Sequence, residues 1–147
     1  MSYQICLADR SHYPVLIDIW EASVRATHHF LREENIAYFR QWILDQYFDA
    51  VKLFYLRTGD DEIAGLLGLS DGKIEMLFIH PRHFRQGYGS VLTDYAIAEH
   101  GITAVDVNED NPEALAFYCK KGFRVVNRLA QDGEGNNFPI LQMVLDN

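Results

Sequence analysis

Four places in the chain hold residue types and spacings suited to chemistry. The first is FRQGYGS, Phe84 to Ser90, in which Gly87 and Gly89 flank a tyrosine after an Arg-Gln pair. The apolar run IEMLFI precedes it, and a run with helical spacing, SVLTDYAIAEH, follows. A helix start leaves backbone N–H groups unpaired and carries partial positive charge, and glycines in front of it let an anion approach the backbone closely. The corner therefore suits a phosphate or pyrophosphate, although a glycine pair read alone is equally the mark of a tight turn. A P-loop would need G-x-x-x-x-G-K-[ST], and a dinucleotide fingerprint would need a third glycine where Leu92 stands.

The second place is Glu75, a carboxylate inside the apolar run Ile74–Ile79. A carboxylate in such a strand is either paired or functional, and Lys73 is the partner nearest in sequence. The third is NPEALAFYCKKGF, where Asn111 stands at a helix start and Tyr118 shares helical spacing with Leu115. Tyr118 is there a proton donor or a core aromatic; Asn111 is a cap, a ligand contact, or both. The fourth is the pair His28 and His29. Neighbours in sequence rarely face one site together, so one is expected to point inward, and His28 is favoured. His80 and His83 lack further ligands at metal spacing and H-E-x-x-H is absent, so no metal is expected.

The elements that must position these residues follow from periodicity and turn chemistry. YQICLA alternates as a strand does. Asp9, Ser11 and Pro14 open a helix carrying Leu16, Ile19, Trp20 and Val24, RATHHFLREEN reads as a connection, and Ile36, Phe39, Ile43 and Tyr47 mark a second helix. VKLFYLR, EIAGLLGLS and KIEMLFI are strands, the last two joined by an Asp-Gly hairpin signal. A helix runs from the glycine corner to about His100, ITAVDV is a strand, and a helix capped by Asn111 ends at Gly122. FRVVNRLA and PILQMVL are strands separated by the turn QDGEGNN. The order is β-α-α-β-β-β-α-β-α-β-β, an α/β arrangement with a mixed sheet.

The 147 residues suit one domain, 1–147, and the 48% hydrophobic and 23% charged content is that of an ordinary globular chain. No apolar run reaches the ~18 residues of a membrane span, and MSYQICLADR has neither the basic nor the apolar part of a secretory signal. Cys6 and Cys119 form no CxxC pair, which fits a reducing compartment. The expected location is cytoplasmic. A net charge of −8 disfavours nucleic acid and favours cationic partners.

Asn111, Ala114, Tyr118, Lys120, Gly122 and Phe123 match N-x-x-A-x-x-x-Y-x-K-x-G-F in full. With the glycine corner one strand and one helix upstream, the chain resembles the GNAT superfamily of acetyl-CoA-dependent N-acetyltransferases over nearly its whole length. ATHHFL and DGEGNNFPILQM resemble a small bacterial single-domain branch. Phe84 departs from the Arg or Gln usual in the family, and Arg85 fills a frequent glycine position. The resemblance implies a mixed, mostly antiparallel central sheet of about seven strands flanked by about four helices. It implies acetyl-CoA as acyl donor, its pyrophosphate cradled by Arg85, Gln86, Gly87, Tyr88, Gly89 and Ser90, with Arg85 as a substitute charge. Leu77, Phe78 and Ile79 are expected to pair their main chain with the pantetheine arm as an added strand does, and Asn111 to meet that arm. Tyr118 is implied as the acid that protonates the coenzyme sulfur.

A free alkylamine has a pKa near ~10.4, so acetyl transfer to it needs a route for its proton. Glu75 is the candidate base, and Glu75 and His28 are candidate acceptor contacts. The acceptor is a primary amine of a small molecule or a peptide. Transfer is expected to be direct, in a ternary complex, because Cys119 follows Tyr118 on its helix and faces elsewhere. No nucleic-acid or membrane partner is expected, and the protein is expected to be a monomer or homodimer. The alternative is a non-catalytic acyl-CoA binder or sensor on the same fold; Tyr118 and Glu75 favour the enzyme.

Overall fold

The computed structural model describes residues 2–133 and 135–146, so Glu134 of the sequence-predicted turn QDGEGNN lies outside it. In chain order the elements are β1 (Tyr3–Leu7), α1 (Tyr13–Thr27), α2 (Glu33–Trp42), α3 (Phe48–Ala50), β2 (Lys52–Thr58), β3 (Ile63–Ser70), β4 (Lys73–Ile79), α4 (Tyr88–His100), β5 (Ala104–Asn108), α5 (Pro112–Lys120), β6 (Phe123–Leu129) and β7 (Ile140–Leu145). A π-helical stretch, Ile43–Tyr47, joins α2 to α3, so 33–50 is one helical run and four helical bodies flank the strands. No helix among the described residues is long and apolar enough to cross a membrane.

All seven strands form one mixed sheet in the order β1-β2-β3-β4-β5-β7-β6. The first four are an antiparallel meander. β5 joins β4 in parallel, through only two residue pairs, Lys73↔Ala104 and Ile74↔Val105. Beyond Ile74 the two strands part, and β5 continues paired with β7 on its other side. The sheet is thus continuous at one end of β4 and open at the other.

Each face of the sheet has its own core. β2 distributes its side chains strictly by alternation, Leu53 and Tyr55 to one face and Phe54 and Leu56 to the other. The first face is covered by α1 and the 33–50 run, through Leu16, Ile17, Trp20, Ile43 and Phe48. The second is covered by α4 and α5, through Tyr88, Leu92, Ala96 and Tyr118. Burial of a large aliphatic side chain contributes about 1.5–3 kcal/mol. Thr93 is fully buried on α4 and satisfies its hydroxyl by donating to the Gly89 carbonyl, 2.8 Å away.

Two helix boundaries differ from the periodicity reading. α1 continues to Thr27 and α2 begins at Glu33, leaving 28–32 as the connection instead of the whole of RATHHFLREEN. The extra turn is polar because it faces solvent, and Arg25 ties it together by donating to Glu21 (3.0 Å) and Glu33 (2.6 and 2.8 Å). Asp9 caps a short 3-10 turn ahead of α1, not α1 itself, and Pro14 lies in the first turn of α1 as expected.

β4 carries a bulge. Gly68 pairs with Met76 and Leu69 with Ile74, so Glu75 has no opposite number on β3. The extra residue resets the alternation: Ile74 packs into one core and Met76 into the other. Gly65 marks the close approach of β3 to the far end of β4. A Cβ there would stand 2.5 Å from Ile79 Cδ1 and 2.8 Å from the Phe78 carbonyl oxygen. The methyl can swing aside, but the carbonyl moves only if β4 moves. Gly65→Ala is therefore expected to cost about 1–3 kcal/mol, read as a lower urea midpoint at unchanged slope. An unchanged midpoint would show that β4 yields freely at Phe78.

Candidate active site

The opening between β4 and β5 is bordered by the starts of α4 and α5. Gly87 caps α4 in the left-handed conformation (φ 83°) and offers no side chain to its first amides. Arg85, two residues earlier, is also left-handed (φ 64°), which for a side-chain-bearing residue costs about 1–3 kcal/mol. This is the position the sequence marked as a frequent glycine. Left-handed residues next to a helix start are the backbone from which anion-binding nests of N–H groups are built. At Gly89 an added Cβ would meet only the Phe117 ring, at 3.8 Å, so packing within the chain does not demand glycine there.

A cleft of about 390 Å³ runs from this corner along β4 to α5. Leu77, Phe78, Ile79, Arg85, Gly87, Tyr88, Gly89, Ser90, Asn111, Tyr118 and His28 all line it, so the structure brings together nearly every residue that the sequence singled out. Gln86 is separate: it turns to the opposite side of the loop, into a polar hollow with Glu62 and Arg82. Glu75 is separate too and faces a neighbouring cavity. Cys119 is exposed.

Tyr118 is buried, and burial raises its phenol pKa well above the ordinary value, so the hydroxyl keeps its proton. Asn111 is buried at the start of α5. Its Oδ1 accepts from the Ala114 amide (3.2 Å), which fixes the orientation of the amide and leaves Nδ2 facing His28 Nε2 at 3.4 Å. Thr27 Oγ1 lies 2.7 Å from His28 Nδ1 and donates to the Ser23 carbonyl at 2.8 Å. Because the Thr27 proton is committed to Ser23, His28 Nδ1 must donate to Thr27. Because Nδ2 only donates, His28 Nε2 must accept. Both constraints select the same neutral tautomer, with the proton on Nδ1. Enclosure between Phe30 and Phe78, and secondarily the neighbouring His29, lower the His28 pKa to about 4.

A second cavity, of about 430 Å³, lies on the α1 side of β4. Its walls are aromatic. Trp42 stacks on Tyr47 (4.7 Å between centroids), and Phe138, from the β6–β7 loop, meets Phe30 at 5.7 Å and Phe39 at 6.2 Å. Glu75 and Asp106 supply carboxylates. Glu75 accepts from the Tyr47 hydroxyl (3.1 Å) and lies 3.7 Å from Lys73 Nζ, which donates to Asp106 at 2.7 Å. Two carboxylates thus share one ammonium, and the cluster keeps a net negative charge. A third, smaller cavity fills the parting of β4 and β5.

Sequence reading missed Ser23 and Thr27 of α1 and Phe117 of α5 in the cleft, and most of the aromatic wall of the second cavity. Phe39 and Tyr47 had registered only as core positions. Phe30 and Phe138 lie in ATHHFL and DGEGNNFPILQM but were not singled out there, and neither was Trp42, because their convergence is purely tertiary.

The family model for the acetyltransferase (GNAT) domain matches residues 21–146. A peptidyl-lysine N-acetyltransferase, YjaB of Salmonella typhimurium, is 34% identical over 129 residues, 88% of each chain. The solution structure of apo YjaB from Escherichia coli superimposes with a TM-score of 0.89 at 30% identity, covering 98% of this chain and 97% of that one. The PaiA N-acetyltransferase of Thermoplasma acidophilum, solved with coenzyme A, shares the fold at 19% identity, with a TM-score of 0.69 over 97% and 98% of the two chains.

The depressed His28 pKa has a consequence for stability. An unfolded histidine titrates near 6.5, whereas folded His28 stays neutral down to about 4. Between those values the unfolded chain binds a proton that the folded one does not, so stability falls as pH drops through that window. His28→Gln abolishes this contribution. The urea midpoint of the variant is expected to gain on wild type between pH 7 and pH 4.5. A constant difference across that range would mean that His28 titrates normally in the folded protein.

Proposed function

Because the chain belongs to the GNAT family of acetyl-CoA-dependent N-acetyltransferases, we propose that it transfers the acetyl group to the ε-amine of lysine in a peptide or protein. One observation carries this reading. The cleft holding the expected donor residues meets an aromatic cavity with a net negative carboxylate cluster, and the two join at His28 and Phe78. Aromatic rings take up the methylene stem of a lysine, and carboxylates attract its ammonium. The likeness to a relative named a peptidyl-lysine N-acetyltransferase points the same way.

In this reading one domain carries both cavities. The coenzyme pyrophosphate sits against the Arg85–Ser90 corner, with Gln86 contributing only main chain. The pantetheine arm lies along Leu77–Ile79 and takes the place of the strand partner that β4 lacks there. Asn111 borders the arm. Glu75 anchors the incoming ammonium beside Lys73 and Asp106. The ammonium releases one proton to solvent before attack, and the apolar walls near the thioester favour the neutral amine that results. As the C–S bond breaks, Tyr118 gives its proton to the sulfur. Burial keeps the phenol protonated until the thiolate forms.

Tyr118→Phe is expected to bind acetyl-CoA with near-normal affinity while turnover on a lysine peptide falls about ten- to a thousandfold. Full turnover would return Tyr118 to the role of core aromatic. Gly89→Val is expected to fold, since a Cβ there stands at ordinary contact distance from the Phe117 ring, and to lose acetyl-CoA binding in calorimetry because the side chain occupies the phosphate approach. Wild-type affinity in a folded variant would remove the pyrophosphate from this corner.

A further inference from the structure

Three clefts border one another: the donor cleft, the aromatic acceptor cavity and the gap between β4 and β5. Among the described residues only His28 and Phe78 line all three, and of these only His28 can take a proton. The reacting amine and the thioester must meet where donor and acceptor spaces join, so a base acting directly must stand at that junction. Glu75 does not reach the donor cleft, and its carboxylate is already engaged by Tyr47 and Lys73.

We propose that His28 Nε2 is the general base of the acetyl transfer, and that Glu75 only anchors the acceptor. The geometry prepares this atom. Thr27 holds the ring by its Nδ1–H, so the lone pair at Nε2 is the basic site. Its only partner among the described residues is the long contact from Asn111, at 3.4 Å, which is easily exchanged for an N–H of the amine. His29 is the charged neighbour that acts on the ring; the other titratable residues lining the cavities that His28 lines are His83, Arg85 and Tyr88 at the glycine corner, Glu113 and Tyr118 on α5, Glu75 on β4, Asp106 on β5, Tyr47, and Asp132 of the β6–β7 loop. Enclosure leaves the ring neutral at pH 7 and makes it a weaker base than a free imidazole, so the assignment rests on its place at the junction.

The step balances without an outside reagent. The neutral amine nitrogen attacks the thioester carbon, a C–N bond forms, and the carbonyl π pair moves to oxygen. The nitrogen, now positively charged, passes its proton to His28 Nε2. The carbonyl re-forms, the C–S bond breaks, and the sulfur takes the Tyr118 proton. The proton held by His28 then restores the phenol through water in the cleft, so the cycle yields an amide and a thiol and leaves the enzyme unchanged.

This assignment rests on the acetyltransferase reading but not on the acceptor being lysine, and the test keeps the two apart. Wild type, His28→Gln and His28→Ala are assayed with a lysine peptide and with n-butylamine, and acetyl-CoA affinity is measured by calorimetry. Gln can still accept from Asn111 but has no basic nitrogen. The expected result is a fall in turnover of about a hundredfold or more with either acceptor, acetyl-CoA affinity within about threefold of wild type, and partial recovery of His28→Ala by added imidazole. Turnover of His28→Gln within about threefold of wild type would overturn the proposal. So would a loss of acetyl-CoA affinity as large as the loss of turnover, which would make His28 a strut for Asn111. If wild type acetylates n-butylamine and not the peptide, the lysine reading fails and the histidine assignment is decided on n-butylamine alone.

Discussion

The arrangement depends on a single break in hydrogen bonding. β4 and β5 lie side by side in one sheet yet share two residue pairs, and a buried backbone amide without a partner is costly. The segment Leu77–Ile79 therefore presents a half-buried edge along the cleft, where edges are normally covered. An extended ligand with its own amides fits that edge as no compact ligand does. The starts of α4 and α5, and the loop after α1, all converge on it.

Much of this was legible in the residues. β2 announced itself by clean alternation, Gly122 ended its helix with a positive φ, and the Gly87 corner and the Asn111–Phe123 run marked the two helix starts that border the cleft. Arg85 is the instructive case, since a glycine-type position held by arginine is indeed left-handed. What stayed hidden is tertiary. A bulge is a mismatch between two strands, so no property of KIEMLFI alone reveals that Glu75 is the unpaired residue. The side to which Gln86 turns is decided by the left-handed residues on either side of it. The aromatic wall draws on Phe30, Trp42 and Phe138, which no local spacing links.

Asn111 shows how few groups serve several purposes. One oxygen holds the first turn of α5 while the nitrogen of the same amide faces His28. The proton order then runs in a single direction, from Asn111 to His28 to Thr27 to Ser23. The cleft and the aromatic cavity thereby share one imidazole, and its tautomer is set by partners that cannot reverse roles.

The two halves of the site are mounted differently. The donor half hangs on strands and helix starts whose side chains reach into the packed core, as Tyr88, Asn111 and Tyr118 do. The aromatic half is closed by the 28–32 connection and by Phe138 of the β6–β7 connection, whose ring meets those of Phe30 and Phe39. Connections accept insertion and exchange far more readily than core elements. Across evolutionary time the choice of acceptor is therefore free to drift while the acetyl-transferring apparatus stands still, and descendants of one such chain can diverge in what they modify without relearning how.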